Sequence, residues 1–127
     1  MASFLLFINS DLDNQSSYSA YRFAMAATKK HNVKAVFFYG PGVHVANELS
    51  TPAGDEFKLT QAWQALAKQN QVELIVCSAA AQRKGILDQA EAEYHGKQSY
   101  NLANGFRIGG LAEYAQLQSQ VDRVVQF

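Results

Sequence analysis

Two kinds of hydrophobic pattern alternate along the chain. Short, mainly apolar runs lie at 3–9, 33–39, 71–77 and 121–127. Runs of this length predict strands, and the unbroken run at 3–9 is typical of a parallel strand buried on both faces. Between the runs, apolar residues recur at intervals of three and four, which predicts helices with one buried face. The chain therefore alternates strand and helix from its start.

The first two helices are predicted from apolar side chains at helical spacing, namely Ala20, Phe23, Ala24 and Ala27, and then Leu59, Ala62, Trp63 and Leu66. A further helical pattern follows residue 77 and is broken by Gly85. Residues 86–96 and 110–119 also read as helices, and 106–108 predicts a short strand. Trp63 is expected to be a core residue because it lies on the apolar face of its helix.

Alternating strands and helices predict parallel strand pairing through right-handed crossovers. We therefore expect an α/β fold, a three-layer α/β/α sandwich with a mainly parallel sheet of four or five strands. A length of 127 residues suits a single domain over 1–127. In such sheets, ligands and chemistry lie beyond the carboxyl ends of the strands.

The connections after the first two strands are rich in polar residues. "GPG" at 40–42 ends the second strand sharply, and "VHVANELSTPAGDE" predicts a long polar loop that could include one helical turn. Loops of this length at a strand end are commonly functional. Two pairs of carboxylates, Asp11 with Asp13 and Asp55 with Glu56, precede predicted helices, and we expect them to cap those helices.

Composition excludes several classes of function. Eleven basic residues balance eleven acidic ones, so no field is strong enough to hold nucleic acid or an anionic membrane directly. No apolar run reaches the roughly 20 residues of a membrane span, and no signal peptide is recognisable, so a cytoplasmic protein is expected. Only 17% of residues are charged, a low fraction that favours a surface partly covered by partner chains.

Cofactor and metal motifs are missing from the sequence. The first loop, "NSDLDNQSS", matches neither G-x-G-x-x-G nor the P-loop pattern. Three scattered histidines and one cysteine do not show zinc-ligand spacing. We therefore expect neither a cofactor nor a metal ion.

The lone cysteine, Cys77, is the main candidate for chemistry. It ends a predicted strand and precedes a helix that begins with the small residues Ser78, Ala79 and Ala80. Backbone N–H groups at a helix start stabilise a thiolate, and Arg83 could add positive potential. The alternative is that Cys77 is a buried packing residue, since cysteine is often buried at such positions. The residues by themselves leave both interpretations open.

His44 and Asn47 follow the second strand, on the edge of the sheet where Cys77 is predicted to lie. His44 could donate a proton to a thiol or orient it. A loop histidine is more often simply exposed, so this assignment also stays open.

Several separate blocks resemble the DsrE family, and within it the TusD branch. They are "FFYGPGVHVAN", "TPAGDEFKLTQAWQAL", "CSAAAQRKG", "ANGFRIGGL" and "DRVVQF", and the resemblance runs from about Ala20 to Phe127. It implies a sulfurtransferase subunit that carries a persulfide on Cys77. It also implies that the chain receives sulfur from an upstream carrier protein and passes it to a downstream one. This relay would supply the sulfur for 2-thiouridine at the tRNA wobble position. The implied partners are TusB-like and TusC-like subunits in a dimer of heterotrimers.

Other functions remain as alternatives. The chain could be a DsrE subunit of sulfur oxidation, a scaffold that binds partners around His44 and the following loop, or a flavodoxin-like module for a small ligand. The first loop of this chain departs from the family pattern. The corresponding loop of the family often contains glycine, whereas this chain has "NSDLDNQ". No role is therefore carried over to Asn9–Gln15.

Overall fold

Five strands and five α-helices alternate in a computed structural model that describes all residues, Met1–Phe127. The elements are β1 (Ser3–Ile8), α1 (Gln15–Ala27), β2 (Asn32–Phe38), a 3-10 helix (Gly40–Ala46), α2 (Leu59–Asn70), β3 (Glu73–Cys77), α3 (Ser78–Arg83), α4 (Gln89–Tyr94), β4 (Phe106–Gly109), α5 (Leu111–Gln118) and β5 (Arg123–Gln126). None of the helices has the length and apolar character needed to cross a bilayer.

The strands form one parallel sheet in the order β4-β3-β2-β1-β5. Trp63 of α2 contacts Phe38, whereas Tyr114 of α5 contacts Phe37. Consecutive residues of a strand point to opposite faces, so α2 and α5 cover opposite sides of the sheet. This arrangement confirms the predicted three-layer α/β/α fold. It also confirms Trp63 as a core residue, since its side chain is fully buried.

The segment after β2 differs from the predicted polar loop. Residues 40–46 form a 3-10 helix, in which Val43, Val45 and Ala46 are buried. Its backbone lies directly on the end of β1, since a Cβ atom added at Gly42 would be 2.4 Å from the carbonyl oxygen of Ile8. Only glycine allows this approach. The exposed loop therefore begins only at Glu48.

The expected carboxylate caps are wrong. Asn14 caps α1, because its side chain accepts a hydrogen bond from the backbone N–H of Ser16. Lys58 occupies the N-cap position of α2 without a side-chain cap, and no acidic residue lies in the first turn of that helix. The four carboxylates therefore lie in the loops before the helices, where they are available for other contacts.

Candidate functional site

Cys77 lies at the carboxyl edge of the sheet, as the sequence predicts. It is the last residue of β3, and its register partner is Gly109 at the end of β4. The helix α3 begins at the next residue. Because all five strands are parallel, the loops after β1 and β2 reach this same edge.

The thiol of Cys77 is enclosed by the protein. The residue is free of any disulfide and only 1% exposed, and it belongs to the hydrophobic core cluster. It lines none of the five best-defined surface cavities. The site is therefore closed in this conformation, and a reagent reaches the sulfur only when part of the surrounding structure moves.

The residues after Cys77 form the predicted small-residue helix start. Ser78 is half-buried, Ala79 is exposed and Ala80 is fully buried. Cys77 occupies the N-cap position of α3, and its side chain makes no capping hydrogen bond. Arg83 lies in the last turn of α3, is exposed and joins none of the ion pairs. Any effect of Arg83 on the sulfur therefore acts through space rather than through contact.

His44 is held by a residue of the first loop. Its Nδ1 atom lies 3.0 Å from Oδ1 of Asp11, and both side chains are partly exposed. The 3-10 helix that carries His44 packs against β3 and α3. Asp11 therefore belongs to the candidate site, although sequence reasoning treated it as a helix cap. No third His, Cys, Asp or Glu joins the pair into a metal-binding cluster.

Asn47 has a structural role that the sequence did not reveal. Its Oδ1 atom accepts hydrogen bonds from the backbone N–H of Leu49 and, at 3.1 Å, from Nδ2 of Asn101. The side chain of Asn101 also donates to the carbonyl of Gly85 and accepts from the N–H of Leu87. These bonds join the end of the 3-10 helix to the turn after α3. Asn101 was missed because it lies in a loop without periodicity, far from its partners along the chain.

A charged cluster lies beside the strand that pairs with Cys77. Arg107 of β4 donates hydrogen bonds to Glu113 of α5 and, at 3.2 Å, to Glu73 of β3. Arg107 donates hydrogen bonds to the Glu113 carboxylate, and this interaction holds the pKa of Glu113 below its ordinary value and raises the pKa of Arg107. A Cβ atom on Gly109 would lie 2.6 Å from Oε1 of Glu113. The glycine opposite Cys77 therefore makes room for this ion pair.

The comparison with known proteins decides the family. The family model described as DsrE/DsrF-like matches residues 1–127. The chain belongs to this family. The "Sulfurtransferase TusD homolog" of Vibrio vulnificus is 50% identical over 115 residues, covering 90% of this chain and 88% of the relative. The "Sulfurtransferase TusD" of Serratia proteamaculans is 47% identical over 114 residues, covering 89% and 88%. The predicted resemblance to the DsrE family and its TusD branch is confirmed.

Solved structures of low sequence identity share the DsrE-type fold. The ychN protein from E. coli superposes with a TM-score of 0.75 at 20% identity, covering 100% of both chains. A protein of unknown function from Methanobacterium thermoautotrophicum gives a TM-score of 0.66 at 19% identity, again over 100% of both chains. These likenesses support the architecture alone.

In this DsrE-family chain, the carboxyl edge of the sheet carries the predicted site residues in two groups. Cys77 and the start of α3 form one group, inside the protein. His44, held by Asp11, forms the other on the adjacent 3-10 helix. Asn47 and Arg83 stand apart, the first as a structural link and the second as an exposed cation.

Proposed function

We propose that this chain is a sulfurtransferase subunit that carries a persulfide on Cys77 within a sulfur relay. The observation that carries the proposal is the position of the only cysteine. Cys77 ends a strand at the functional edge of the sheet, in a chain half identical to proteins named TusD. The name shared by these relatives supports the class of activity.

The proposed transfer is balanced without an added oxidant or reductant. The Cys77 thiolate attacks the outer sulfur of a donor persulfide, R–S–SH. The S–S bond of the donor breaks, R–S⁻ leaves with the electron pair, and a new S–S bond forms on Cys77. An acceptor thiolate then attacks the outer sulfur of the Cys77 persulfide, which restores the Cys77 thiolate.

Burial of Cys77 suits a carrier that must keep its sulfur. A persulfide exposed to the cell's small thiols would be reduced by the same exchange reaction. The enclosed site described above slows that loss, and its opening would be coupled to a partner. His44, oriented by Asp11, is the proposed proton donor or acceptor beside the opened site.

The wider pathway is part of the proposal. TusB-like and TusC-like subunits would join the chain in a dimer of heterotrimers, and the relay would supply 2-thiouridine at the tRNA wobble position. Equal numbers of acidic and basic residues support a role without direct RNA contact. A free thiol suits a reducing compartment such as the cytoplasm.

Mass spectrometry tests the carrier role. After incubation with a persulfide donor, the parent chain should gain about 32 Da, the mass of one sulfur atom, and the added sulfur should map to Cys77. Cys77→Ser should gain nothing and pass on no labelled sulfur. The proposal fails if Cys77→Ser accepts and transfers sulfur as well as the parent.

The burial of Cys77 favours one competing function, a scaffold subunit in which the cysteine only fills the core. Both functions predict a slow thiol in the isolated chain. They differ in the assembled complex, where the carrier hypothesis predicts that alkylation of Cys77 becomes faster when the partner subunits are present. An equally slow reaction in the complex supports the scaffold.

A further inference from the structure

Three large apolar side chains remain exposed around one small cavity. Leu12, Tyr18 and Phe57 are 40%, 36% and 51% exposed, respectively. They line a cavity of about 170 Å³ together with residues from the start of α1. We call these three residues the apolar patch. Clustered exposed apolar side chains are uncommon on a monomer and typically mark a binding site.

Phe57 is presented on the surface by an exposed loop. Every residue from Thr51 to Lys58 is exposed. The ring of Phe57 rests edge-on against Tyr18 at 5.0 Å between centroids and lies 5.5 Å from Tyr21. Half of its surface is nevertheless left in water, although burying an aromatic ring is strongly favourable. Covering the exposed half of the Phe57 ring with a bound ligand would therefore be favourable.

Charges around the apolar patch are mainly negative. Asp11 and Asp13 flank Leu12, and Asp55 and Glu56 precede Phe57. The cations in the same segments are Arg22, one turn after Tyr18, and Lys58, which also lines a neighbouring cavity. Asp11 is engaged by His44, while Asp13, Asp55 and Glu56 form no ion pair. This surface complements a ligand with an apolar side chain between basic ones.

The apolar patch lies at the same edge of the sheet as Cys77, where the parallel strands have their carboxyl ends. Leu12 follows β1, Phe57 follows β2 and the 3-10 helix, and Cys77 ends β3. These three parallel strands are neighbours, so their carboxyl ends meet at one edge. A protein bound at the patch would therefore stand at the edge of the sheet that carries Cys77.

We propose that the apolar patch docks a basic segment with an aromatic side chain on the protein that exchanges sulfur with Cys77. The ring would enter the cavity beside Phe57, and Lys or Arg side chains would face Asp13, Asp55 and Glu56. A small patch with a charged rim suits a transient partner rather than a permanent subunit. The identity of the occupant rests on the proposed function, whereas the docking chemistry does not.

Fluorescence anisotropy with two labelled peptides tests the docking. One peptide has a central Trp among Lys and Arg residues, and the other has Glu in place of each Lys and Arg. The parent chain should bind the basic peptide at least tenfold more tightly, and added salt should weaken this binding. Phe57→Ala should remove most of the binding, and Asp13→Asn, Asp55→Asn and Glu56→Gln together should remove the preference. Equal binding of both peptides, or full binding by Phe57→Ala, overturns the proposal.

Two matched controls lie on α4, far along the chain from the apolar patch. Tyr94→Ala removes a ring that is 84% exposed, and Glu93→Gln removes an exposed carboxylate. Neither should change peptide binding. Cys77→Ser should bind the basic peptide as tightly as the parent does. Peptide binding therefore tests the docking even if the proposed sulfur-carrier function is wrong. A chain that takes up sulfur but binds no basic peptide refutes only the docking.

The basic peptide extended by one cysteine, which carries the persulfide, tests the occupant's role. It should load Cys77 roughly tenfold faster than glutathione persulfide does at equal concentration, as expected if docking raises the local donor concentration. In Phe57→Ala the ratio of the two rates should fall to about one. A ratio near one in the parent refutes the role in sulfur exchange. Loss of co-purifying TusB-like and TusC-like subunits from Phe57→Ala would assign the patch to a permanent interface and also overturn the proposal.

Discussion

The thiol of Cys77 is enclosed by the protein, so it reacts only while the surrounding structure is transiently open. We predict that the native chain reacts with a disulfide reagent such as DTNB at least about 100-fold more slowly than the urea-unfolded chain, since the reactive state is a minor population. The rates are measured by absorbance of the released thiol. A native thiol that reacts as fast as the unfolded one contradicts the closed site.

A second prediction at the scale of single residues concerns the contribution of the Asn101 side chain to stability. Asn101→Ala removes side-chain hydrogen bonds to Asn47, Gly85 and Leu87. The free energy of unfolding should fall by about 2 kcal/mol, because polar groups in a partly buried region lose their partners. Asn104→Ala, at an exposed position in the same segment, should change stability by less than about 0.5 kcal/mol. Urea denaturation compares the two variants, and an equal loss in both would contradict this role.

Local patterns placed Cys77, His44 and Asn47 at one edge of the sheet, but they did not show the contacts that hold His44 and Asn47 there. A strand end followed by small residues is visible in the sequence, and both features are present in the structure. The contact between His44 and Asp11 spans 33 positions, and that between Asn101 and Asn47 spans 54. Such contacts arise only when the sheet brings separate loops together, so no short pattern encodes them.

At the scale of elements, the 3-10 helix depends on Gly42. Gly42→Ala would place a methyl group 2.4 Å from the carbonyl oxygen of Ile8, an atom that cannot turn away. We predict a loss of about 2 kcal/mol or more in the free energy of unfolding, since the helix must shift off the end of β1. Thermal or urea denaturation measures the loss.

Gly54 provides the matched control, because a Cβ atom there would meet nothing within 4 Å. Gly54→Ala should be neutral or slightly stabilising. If both glycine variants have the same stability, the close approach of the 3-10 helix to β1 does not matter energetically.

Most elements were predictable because their patterns are periodic, and the exceptions have physical reasons. The sequence indicated only one helical turn within a polar loop where the 3-10 helix lies, because its buried residues Val43, Val45 and Ala46 follow neither the strand nor the α-helix period. The third strand was predicted to begin at Gln71. That residue instead caps the carboxyl end of α2 in a left-handed conformation with φ 56°, where its N–H donates a hydrogen bond to the carbonyl of Ala67. The strand β3 therefore begins only at Glu73.

For the whole molecule, the cluster of Arg107, Glu113 and Glu73 predicts a pH dependence of stability. The pKa of Glu113 is lower in the folded chain than its ordinary value of 4.5, because Arg107 donates hydrogen bonds to it. Its stabilising effect is therefore complete above pH 4.5 and is lost as the pH falls through the folded-state pKa.

Glu113→Gln should reduce the free energy of unfolding by about 0.5–1 kcal/mol at pH 7, as expected of a partly exposed ion pair. The difference from the parent should shrink at acid pH, where the parent's carboxyl is protonated as well. Urea denaturation from pH 7 to pH 3 measures this trend. Glu93→Gln, at an exposed position without an ion pair, should show no such dependence, and a constant difference for Glu113→Gln would refute the assignment.

The architecture was predictable at the largest scale, whereas the strand order was not. Alternation of strands and helices requires parallel pairing, and the structure confirms it. The crossover rule fixes the handedness of each connection but not how far the chain moves across the sheet. Here the connection from β4 to β5 crosses from one edge of the sheet to the other, and no local pattern marks that step.

The position of β5 has a consequence for how the chain folds. Strands β1 to β4 can assemble one after another between near neighbours in sequence, but β5 pairs with β1, about 119 positions earlier. Contacts of such long sequence separation form slowly, because the loop-closure entropy is lost before they are made. Until β5 pairs with β1, the outer edge of β1 exposes unpaired backbone N–H and C=O groups beside apolar side chains. A folding intermediate of this kind is prone to pair with the same edge of another copy, so refolding yield should fall as protein concentration rises.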